Sequence, residues 1–332
     1  MARAAARPPS ASQERLAAQV ARLYHVWGRR QKEIATALSI SQTTVSRVLA
    51  AAEATSVVHK SVQVPADYHP ELEDALEARF DLRAAHVVEV GVGESLTRSL
   101  GQEAADYLRA APLAVGTVGF TSWSTTLREM VAALGSGAPG RSGTVVEMLG
   151  DLGSPALQHA AARSTQQLAR LLGAEPVFLR TPGVFATADL RASAVRTPHM
   201  LRATQELDRL DVAFVGVGPV DVHSFLTPDD NFFSSDQLAA ARAAGGVGQL
   251  DQRAIDARGE RVDCDLDDLV VAVSLDQLRR CPRRITVAGG TDKVEPLRAA
   301  LCGGWIHELF TDAGTATALL APRIDAAEVL AT

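Results

Sequence analysis

Short runs of apolar, β-branched residues alternate with Ala- and Leu-rich stretches of helical period over most of the chain. The runs are His86–Val90, Leu113–Phe120, Thr144–Leu149, Glu175–Leu179, Val212–Val217, Arg284–Ala288 and Glu308–Thr311. The helical patterns between them include Leu96–Ala110, Thr126–Leu134, Pro155–Leu172, His199–Leu207, Val294–Leu301 and Thr315–Leu320. Apolar strands separated by helices are typical of a parallel sheet that is covered on both faces. The pattern therefore predicts a doubly wound α/β domain, which binds ligands at the carboxyl ends of its strands.

A hydroxyl-rich segment follows the predicted strand Leu113–Phe120 and leads directly into a helix. Its members include Ser122, Ser124, Thr125 and Thr126. Hydroxyl groups and free backbone N–H groups at a helix N-terminus form an anion site, because the helix dipole and the unpaired donors point the same way. The same residue types also cap helices that bind no ligand. Phosphate binding and simple helix capping therefore remain two open interpretations of this segment.

A second polar segment follows the predicted strand Arg284–Ala288. Two glycines allow close approach of the backbone, and Lys293 begins the next helix with its ammonium group near the predicted cleft. A lysine there can pair with a phosphate or a hydroxyl group, or act as an acid–base group if it is desolvated. A solvated lysine is the alternative. A cation at a helix N-terminus opposes the dipole, however, and this favours a functional role.

Carboxylates mark a third segment, which follows a long irregular region from residue 221 to residue 231. A glycine-rich run ends at Gln249, and Asp251 and Asp256 come next. A carboxylate in a sugar site accepts pairs of hydrogen bonds from hydroxyl groups, and this chemistry makes Asp256 a candidate sugar ligand. Asp256 stands just before Arg258-Gly259, so it is equally well interpreted as the aspartate of a turn.

Residues 29–52 carry a different pattern, in which two short helices surround a tight break. Apolar residues keep helical spacing on both sides of Ser39-Ile40, and Ser41 can cap the second helix. Polar side chains of the types that bond to base edges and phosphates remain on the outer face, which predicts a helix-turn-helix. The residues expected to contact DNA are Gln31, Ser41, Gln42, Thr43, Thr44, Ser46 and Arg47. Two helices packed at an angle for structural reasons alone are the alternative.

The domain organisation follows from these segments. A helix over residues 13–27 precedes the helix-turn-helix, and extended chain at Ser56–Val64 could form a wing strand. Prolines punctuate the chain after it, which places a domain boundary there. Leu72, Leu76 and Phe80 then form a helical stripe that predicts a linker helix, which could also dimerise. We expect a disordered basic arm at 1–12, a winged helix-turn-helix domain at 13–64, and a ligand-binding and oligomerisation domain at 65–332.

Charge is distributed unevenly along the chain. The first 60 residues hold nine Lys or Arg and three acidic residues, a net charge of +6, and the rest holds 24 basic and 36 acidic residues, a net charge of −12. A basic end on an acidic body suits a protein that presents one small module to a polyanion. No apolar run approaches the roughly 20 residues of a membrane span, so no membrane partner is expected. The three cysteines have neither paired nor zinc-type spacing, which predicts reduced thiols, a cytoplasmic protein, and no metal or cofactor.

The two halves together resemble the SorC family of transcriptional regulators, which includes bacterial deoxyribonucleoside and central-glycolysis repressors. The resemblance covers nearly the whole chain after the N-terminal arm. In the DNA-binding half it rests on Gln31, Glu33-Ile34-Ala35, Leu38, Ser41 and Thr44-Val45-Ser46-Arg47. In the body it rests on Ala288-Gly289-Gly290, Lys293 and Leu309-Phe310-Thr311-Asp312.

The resemblance implies a body with the fold of sugar-phosphate isomerases and deaminases, which binds a sugar or a sugar phosphate and thereby changes the affinity for DNA. It also implies a homotetramer built as a dimer of dimers. Ser124 departs from the family pattern where glycine is frequent, and Gln249 departs where an acidic or another polar residue is common. The implied phosphate ligands are Ser122, Ser124, Thr125 and Thr126, and the implied sugar ligands are Asp256 and Lys293.

These features predict a regulator of carbohydrate or polyol metabolism that binds double-stranded operator DNA and responds to a sugar or sugar-phosphate effector. An isomerase- or deaminase-like enzyme with an appended DNA-binding domain is the main alternative. No histidine or second carboxylate stands at an obvious strand end to complete a proton-transfer pair, which disfavours an enzyme. The third interpretation is a DNA-binding architectural protein whose body only oligomerises, and such a protein would bind no small molecule.

Overall fold

The computed structural model describes residues 11–54, 68–113, 116–135, 143–221, 226 and 232–322. The chain divides into two units, Met1–Pro65 and Ala66–Thr332. The expected wing strand at Ser56–Val64 and residues 1–10 of the expected arm lie outside the described residues, and the first helix already begins at Ala11. None of the described helices is long and apolar enough to cross a lipid bilayer.

Three helices are described in the first unit: α1 (Ala11–Ala21), α2 (Gln31–Ala37) and α3 (Gln42–Ala54), with a π-helical turn at Arg22–Val26. α1 and α2 both pack against α3, around buried side chains that include Ile34 and Val45. Between α2 and α3, Ser39 has a left-handed backbone with φ of 53°. The Oγ of Ser41 accepts a hydrogen bond from the backbone N–H of Thr44 at 3.0 Å, so Ser41 caps α3 as its position predicted.

The second unit alternates helices and strands along the chain. The helices are α4 (Pro70–Phe80), α5 (Leu96–Ala110), α6 (Thr125–Ala133), α7 (Pro155–Leu172), α8 (Ala188–Ala194), α9 (Pro198–Leu207), α10 (Ser235–Ala243), α11 (Leu266–Leu269), α12 (Leu275–Arg280), α13 (Val294–Cys302) and α14 (Ala313–Leu320). The strands are β1 (Ala84–Val88), β2 (Thr117–Phe120), β3 (Thr144–Glu147), β4 (Glu175–Val177), β5 (Leu210–Phe214), β6 (Val217–Gly218), β7 (Gly248–Leu250), β8 (Arg253–Ile255), β9 (Arg284–Val287) and β10 (Glu308–Asp312). A short 3-10 turn at Thr291–Lys293 precedes α13.

Seven of these strands form a parallel sheet in the order β1-β10-β9-β5-β2-β3-β4. The seven apolar runs of the sequence supply them, so the predicted α/β class with a parallel sheet is confirmed. Consecutive residues point to opposite faces: Val145 packs in a cluster with residues of α5 and α6, and Val146 packs in a cluster with residues of α9 and α14. Both faces are therefore covered, which explains why the strands are apolar along their whole length.

A second, antiparallel sheet has the order β6-β7-β8. Its strands are two or three residues long and, apart from Val217, lie outside the apolar runs of the sequence. Strands this short have no hydrophobic period of their own, so only the completed fold reveals them. Two residues separate the end of β5 from the start of β6, which places the small sheet beside the carboxyl ends of the large one.

α4, the helix that the apolar stripe predicted as a linker, packs against β1 and α14. Leu76 of its apolar stripe is fully buried. β1 is an outer strand of the large sheet, and two of its backbone N–H groups donate to carboxylates of α4. Val87 donates to Glu73 and Ala85 donates to Glu77, each at 2.9 Å. The helix is therefore fixed to the sheet by both packing and hydrogen bonds.

The opposite outer strand, β4, carries a proline. The N–H of Glu175 donates inward to the carbonyl of Gly143 at 2.9 Å. Because successive residues of a strand alternate between its two sides, the nitrogen of Pro176 lies on the outward side. Pro176 has no N–H to donate, so β4 presents no donor at this position.

Candidate ligand-binding site

A cleft of about 470 Å³ opens at the carboxyl ends of β2, β5 and β9, the edge of the sheet at which the sequence pattern predicted a ligand. β6, β7 and the 3-10 turn before α13 line its other sides. Among the described residues, its hydroxyl groups come from Thr97, Thr121, Ser124, Thr125 and Thr126, and its charged groups are Asp221, Asp251, Asp292 and Lys293. Hydroxyls, carboxylates and an ammonium group in one concave site suit a small ligand rich in hydroxyl groups.

The hydroxyl-rich segment after β2 forms the start of α6. Ser124 is the N-cap, and its Oγ accepts a hydrogen bond from the N–H of Leu127 at 3.3 Å. Ser124, Thr125 and Thr126 line the cleft, beside the N–H groups of the first turn, which have no partner within a helix. Ser122 lies behind the cleft wall, where it is 1% exposed and its Oγ has no hydrogen-bond partner among the described residues. Three of the four predicted hydroxyl ligands therefore reach the cleft.

Lys293 enters the cleft from the 3-10 turn that precedes α13. Its Nζ donates a hydrogen bond to the backbone carbonyl of Val217 at 3.2 Å. Burial lowers the pKa of Lys293, and the neighbouring carboxylate of Asp292 partly opposes this effect. Lys293 is also the only lysine after residue 60 of the sequence, in a region where the other strongly basic side chains are all arginine. An ammonium group is a compact point charge with three donors, unlike the planar guanidinium group of arginine.

Asp312 fixes the glycine loop from which Lys293 projects. Its Oδ2 accepts a hydrogen bond from the N–H of Gly290 at 3.0 Å, and its Oδ1 caps α14 by accepting from the N–H of Thr315 at 2.9 Å. A Cβ atom at Gly289 would lie 2.2 Å from Oδ2 of Asp312, and Gly290 has a φ of 103°, so both positions require glycine. The two body segments that carry the family resemblance thus meet and hold the turn that presents Lys293.

Asp256 is not among the residues that line the cleft, and the sugar contact that the resemblance implies for it stays a prediction. Its Oδ1 accepts hydrogen bonds from the backbone N–H groups of Arg258 at 2.8 Å and Glu260 at 2.9 Å. These bonds close the turn after β8 and use the carboxylate locally. The alternative interpretation, a turn aspartate, is the one that the structure supports.

Asp251, in the turn between β7 and β8, is a buried carboxyl group that does line the cleft. Asp251 is 3% exposed, and its Oδ1 lies 2.6 Å from the Oγ1 of Thr121. Burial raises the pKa of Asp251 to about 7, although the hydrogen bond with Thr121 and the charge of Arg253 favour the ionised form. Asp251 and Asp256 look alike along the chain, and the partner that distinguishes Asp251 is Thr121, 130 residues before it.

The two positions that depart from the family pattern, Ser124 and Gln249, both line the cleft. Ser124 caps α6, and the Nε2 of Gln249 donates to the carbonyl of Pro219 at 2.9 Å. Each of these side chains therefore has a structural partner within the unit. The presence of Ser124 and Gln249 in place of the usual family residues therefore changes the shape of the cleft wall as well as its chemistry.

The second set of predicted contact residues lies on or beside α3. Gln31 and Thr44 are half-buried, and the Oγ1 of Thr44 lies 2.8 Å from the Oγ of Ser41. Val45, on the opposite side of the helix, is fully buried. The exposed members of the set are Ser41, Gln42, Thr43, Ser46 and Arg47. A helix face of this composition can bond to base edges and phosphates.

Comparison with known proteins places the chain in one group. Residues 65–321 match the family model described as "Putative sugar-binding domain". The chain is 28% identical over 309 residues to the deoxyribonucleoside regulator of Bacillus subtilis (strain 168), covering 92% of this chain and 97% of that protein. It is 27% identical over 317 residues to the sorbitol operon regulator of Klebsiella pneumoniae, covering 92% of this chain and 98% of that protein.

The solved structures agree with the sequence matches. The crystal structure of the full-length sorbitol operon regulator SorC from Klebsiella pneumoniae has a TM-score of 0.66 to this chain at 25% identity, over 94% of this chain and 100% of that chain. These relatives are named as regulators, and the protein is accordingly a transcriptional regulator and not an enzyme. The match to the sugar-binding model and to full-length relatives shows that the chain belongs to the SorC family of sugar-binding transcriptional regulators.

Proposed function

We propose that this protein is a cytoplasmic regulator of carbohydrate or polyol metabolism whose affinity for double-stranded operator DNA is set by a sugar or sugar-phosphate effector. The observation that carries the proposal is the polar cleft that holds Lys293, the single lysine of the second unit. The named relatives, a deoxyribonucleoside regulator and a sorbitol operon regulator, support this class of effector.

In this proposal the first unit is a helix-turn-helix domain with α3 as the recognition helix. Gln42, Thr43, Ser46 and Arg47 contact bases, and the surrounding basic residues contact phosphates and supply salt-dependent affinity. Ser41 and Thr44 hold the start of α3 through their mutual hydrogen bond. Gln31, at the start of α2, contacts the DNA backbone beside the recognition helix.

The effector binds in the cleft of the second unit. Lys293 pairs with a hydroxyl or phosphate oxygen of the effector, and the hydroxyls of Ser124, Thr125 and Thr126 accept and donate further hydrogen bonds. The first turn of α6 is suited to a phosphate group, because its free N–H groups and the helix dipole both favour an anion.

Effector binding controls DNA binding through the arrangement of the units in a homo-oligomer, proposed from the family resemblance to be a dimer of dimers. An effector changes the DNA affinity only by its differential affinity for the two arrangements, typically about 1–3 kcal/mol of coupling free energy. Two recognition helices in one dimer would contact half-sites that are separated by a helical turn of DNA or a multiple of it.

The test is fluorescence anisotropy of the full-length protein on its own upstream intergenic DNA, with and without a panel of sugars, polyols and their phosphates. We expect one compound to shift the Kd for DNA about tenfold, which corresponds to about 1.4 kcal/mol of coupling. Lys293→Ala should abolish this response and leave the Kd for DNA without effector unchanged. Lys293→Arg keeps the charge and should respond weakly, because a guanidinium group is larger than an ammonium group.

A normal response of Lys293→Ala would remove Lys293 from the site. Specific DNA binding that no compound alters would leave the architectural interpretation, in which the body only oligomerises. Absence of specific DNA binding would contradict the proposed function as a whole.

A further inference from the structure

Asp251, a residue of the cleft wall, carries a buried hydrogen-bond acceptor that has no donor among the described residues. The side chain is 97% buried and lines the cleft wall. Its Oδ1 contacts Thr121, whereas its Oδ2 has no hydrogen-bond partner among the described residues. A buried acceptor without a donor is unfavourable, so a ligand that supplies a donor to Oδ2 gains affinity from it.

Thr121 fixes the orientation of this carboxyl group. Its Oγ1 lies 3.0 Å from the N–H of Gly216, 2.9 Å from the carbonyl of Phe214 and 2.6 Å from Oδ1 of Asp251. The hydroxyl group has one proton, so it donates to only one of the two oxygens. If Asp251 is ionised, Thr121 donates to it. If Asp251 is protonated, it donates to Thr121, and Thr121 donates to Phe214. The geometry accommodates both protonation states without movement of heavy atoms.

The backbone around Asp251 is held in an uncommon conformation. Asp251 and Gln252 have φ values of 46° and 69°, a region that residues other than glycine rarely adopt. A Cβ atom at Gly216 would lie 2.6 Å from the Cγ2 of Thr121, so only glycine allows the two segments to approach. Left-handed backbone at non-glycine residues costs free energy and is concentrated at functional sites. The fold therefore maintains this carboxyl group in the cleft wall against a local cost.

We propose that Asp251 recognises a hydroxyl group of the effector, with Oδ2 as the acceptor, and that this contact couples effector binding to the release of one proton. The inference rests on the proposed function, since it concerns the same cleft. A hydroxyl group that donates to Oδ2 favours the ionised carboxylate. The proton that Asp251 holds in the empty cleft then passes to solvent, and Thr121 turns its own proton toward Oδ1.

The charged groups around Asp251 are consistent with a carboxyl group that is partly protonated and partly ionised near neutral pH. The charge of Arg253 favours the ionised form of Asp251. Lys293, Asp221 and Asp292 are the other charged residues that line the cleft. Burial raises the pKa of Asp251 to about 7, so the binding of a hydroxyl donor changes its protonation near neutral pH.

The test is isothermal titration calorimetry of the full-length protein with four probes: sorbitol, sorbitol 6-phosphate, 2-deoxyribose and 2-deoxyribose 5-phosphate. Each titration is repeated between about pH 5.5 and about pH 8.5, in two buffers of different ionisation enthalpy, to count protons released. The variants are Asp251→Asn and, as a control, Asp263→Asn, which changes an exposed carboxylate that does not line the cleft. The proton release measured for the variant is subtracted from that of the wild type. This subtraction removes the contribution of a phosphate group on the probe, which titrates in both experiments.

We expect at least one probe to bind the wild type with proton release and with an affinity that rises with pH, about tenfold for each unit by which binding lowers the pKa of Asp251. Asp251→Asn has nearly the same shape and retains an acceptor for the hydroxyl group, so it should fold and bind the probe more weakly, without the additional proton release. Asp263→Asn should keep the affinity and the proton release of the wild type. A thermal melt followed by circular dichroism verifies that both variants are folded.

Three results would count against the inference or its basis. If Asp251→Asn has the affinity and proton release of the wild type, the inference is wrong and the proposed function stands. If a probe binds with the expected proton release but leaves the Kd for DNA unchanged, the proposed function is wrong and the role of Asp251 stands. If none of the four probes binds the wild type, both are overturned.

Discussion

Glu147 is a second carboxyl group that the fold buries near the carboxyl ends of the strands. The Oγ1 of Thr165 donates to it at 3.1 Å, and the N–H of Leu179 donates at 3.1 Å. These hydrogen bonds favour the ionised form, yet burial raises the pKa of Glu147 to about 7. At Glu147 the effect of burial on the pKa is therefore larger than that of the two hydrogen bonds. At Asp251 burial likewise outweighs the hydrogen bond with Thr121.

We expect both groups to make the folded protein less stable as the pH rises from about 4 to about 7. In this range Glu147 and Asp251 keep their protons in the folded state, whereas the same groups have already ionised in the unfolded chain. Glu147→Gln removes one of the two titrations. The free energy of unfolding from urea denaturation should therefore depend less on pH in this variant than in the wild type. Glu71→Gln, on the exposed side of α4, is the control.

Arg47 is the exposed residue of α3 best suited to read a base, because its guanidinium group can form two parallel hydrogen bonds to guanine. Arg47→Ala should weaken specific DNA binding by about 1–3 kcal/mol, measured by anisotropy on operator and scrambled DNA. Arg47→Lys keeps the charge, so it should retain affinity for scrambled DNA and lose preference for the operator. Equal affinity and preference in Arg47→Ala would contradict the assignment.

At the scale of single residues, the sequence identified side chains whose role depends only on the short segment of chain around them. Lys293, Ser124 and the cap at Ser41 all follow from their position at a helix start. Asp251 and Asp256 could not be separated in this way, because a turn aspartate and a cleft aspartate look alike along the chain. The structure separates them through Thr121, which reaches only Asp251.

At the scale of elements, α4 is tied to β1 by side chains as much as by packing. Removal of the Glu73 carboxylate in Glu73→Ala leaves the buried N–H of Val87 without its acceptor. We expect a loss of about 1–3 kcal/mol in the free energy of unfolding. Glu73→Gln keeps an acceptor and should lose less. Glu71→Ala, an exposed residue of the same helical turn, should change stability little, and a loss as large as that of Glu73→Ala would contradict this account.

The elements that the sequence predicted most accurately are the long helices, because they show a clear period. The 18 residues of α7 and the 15 residues of α5 were both predicted at their observed bounds. The strands of the small sheet and the four-residue α11 have no such period. They form because neighbouring segments of the completed fold supply their partners, and these partners are invisible in a local window.

At the scale of the whole molecule, charge and fold divide the chain in the same way. The basic segment falls mainly in the first unit, and the acidic remainder forms the second unit. The alternation of apolar runs and helices predicted the parallel sheet, because every strand of that sheet lies in an apolar run. The shape of the cleft could not be predicted, because it depends on the small sheet and on contacts such as that between Asp312 and Gly290.

The outer strands of the large sheet limit how copies of this protein can assemble. On β1 the donors of Ala85 and Val87 are already occupied by glutamates, and on β4 the outward position of Pro176 has no donor. Each of these two outer strands is therefore a poor partner for backbone hydrogen bonds with a strand of another molecule. Self-association must use helix surfaces and side chains instead of joining two sheets into one. The same arrangement protects concentrated protein from growing into fibrils through these strands.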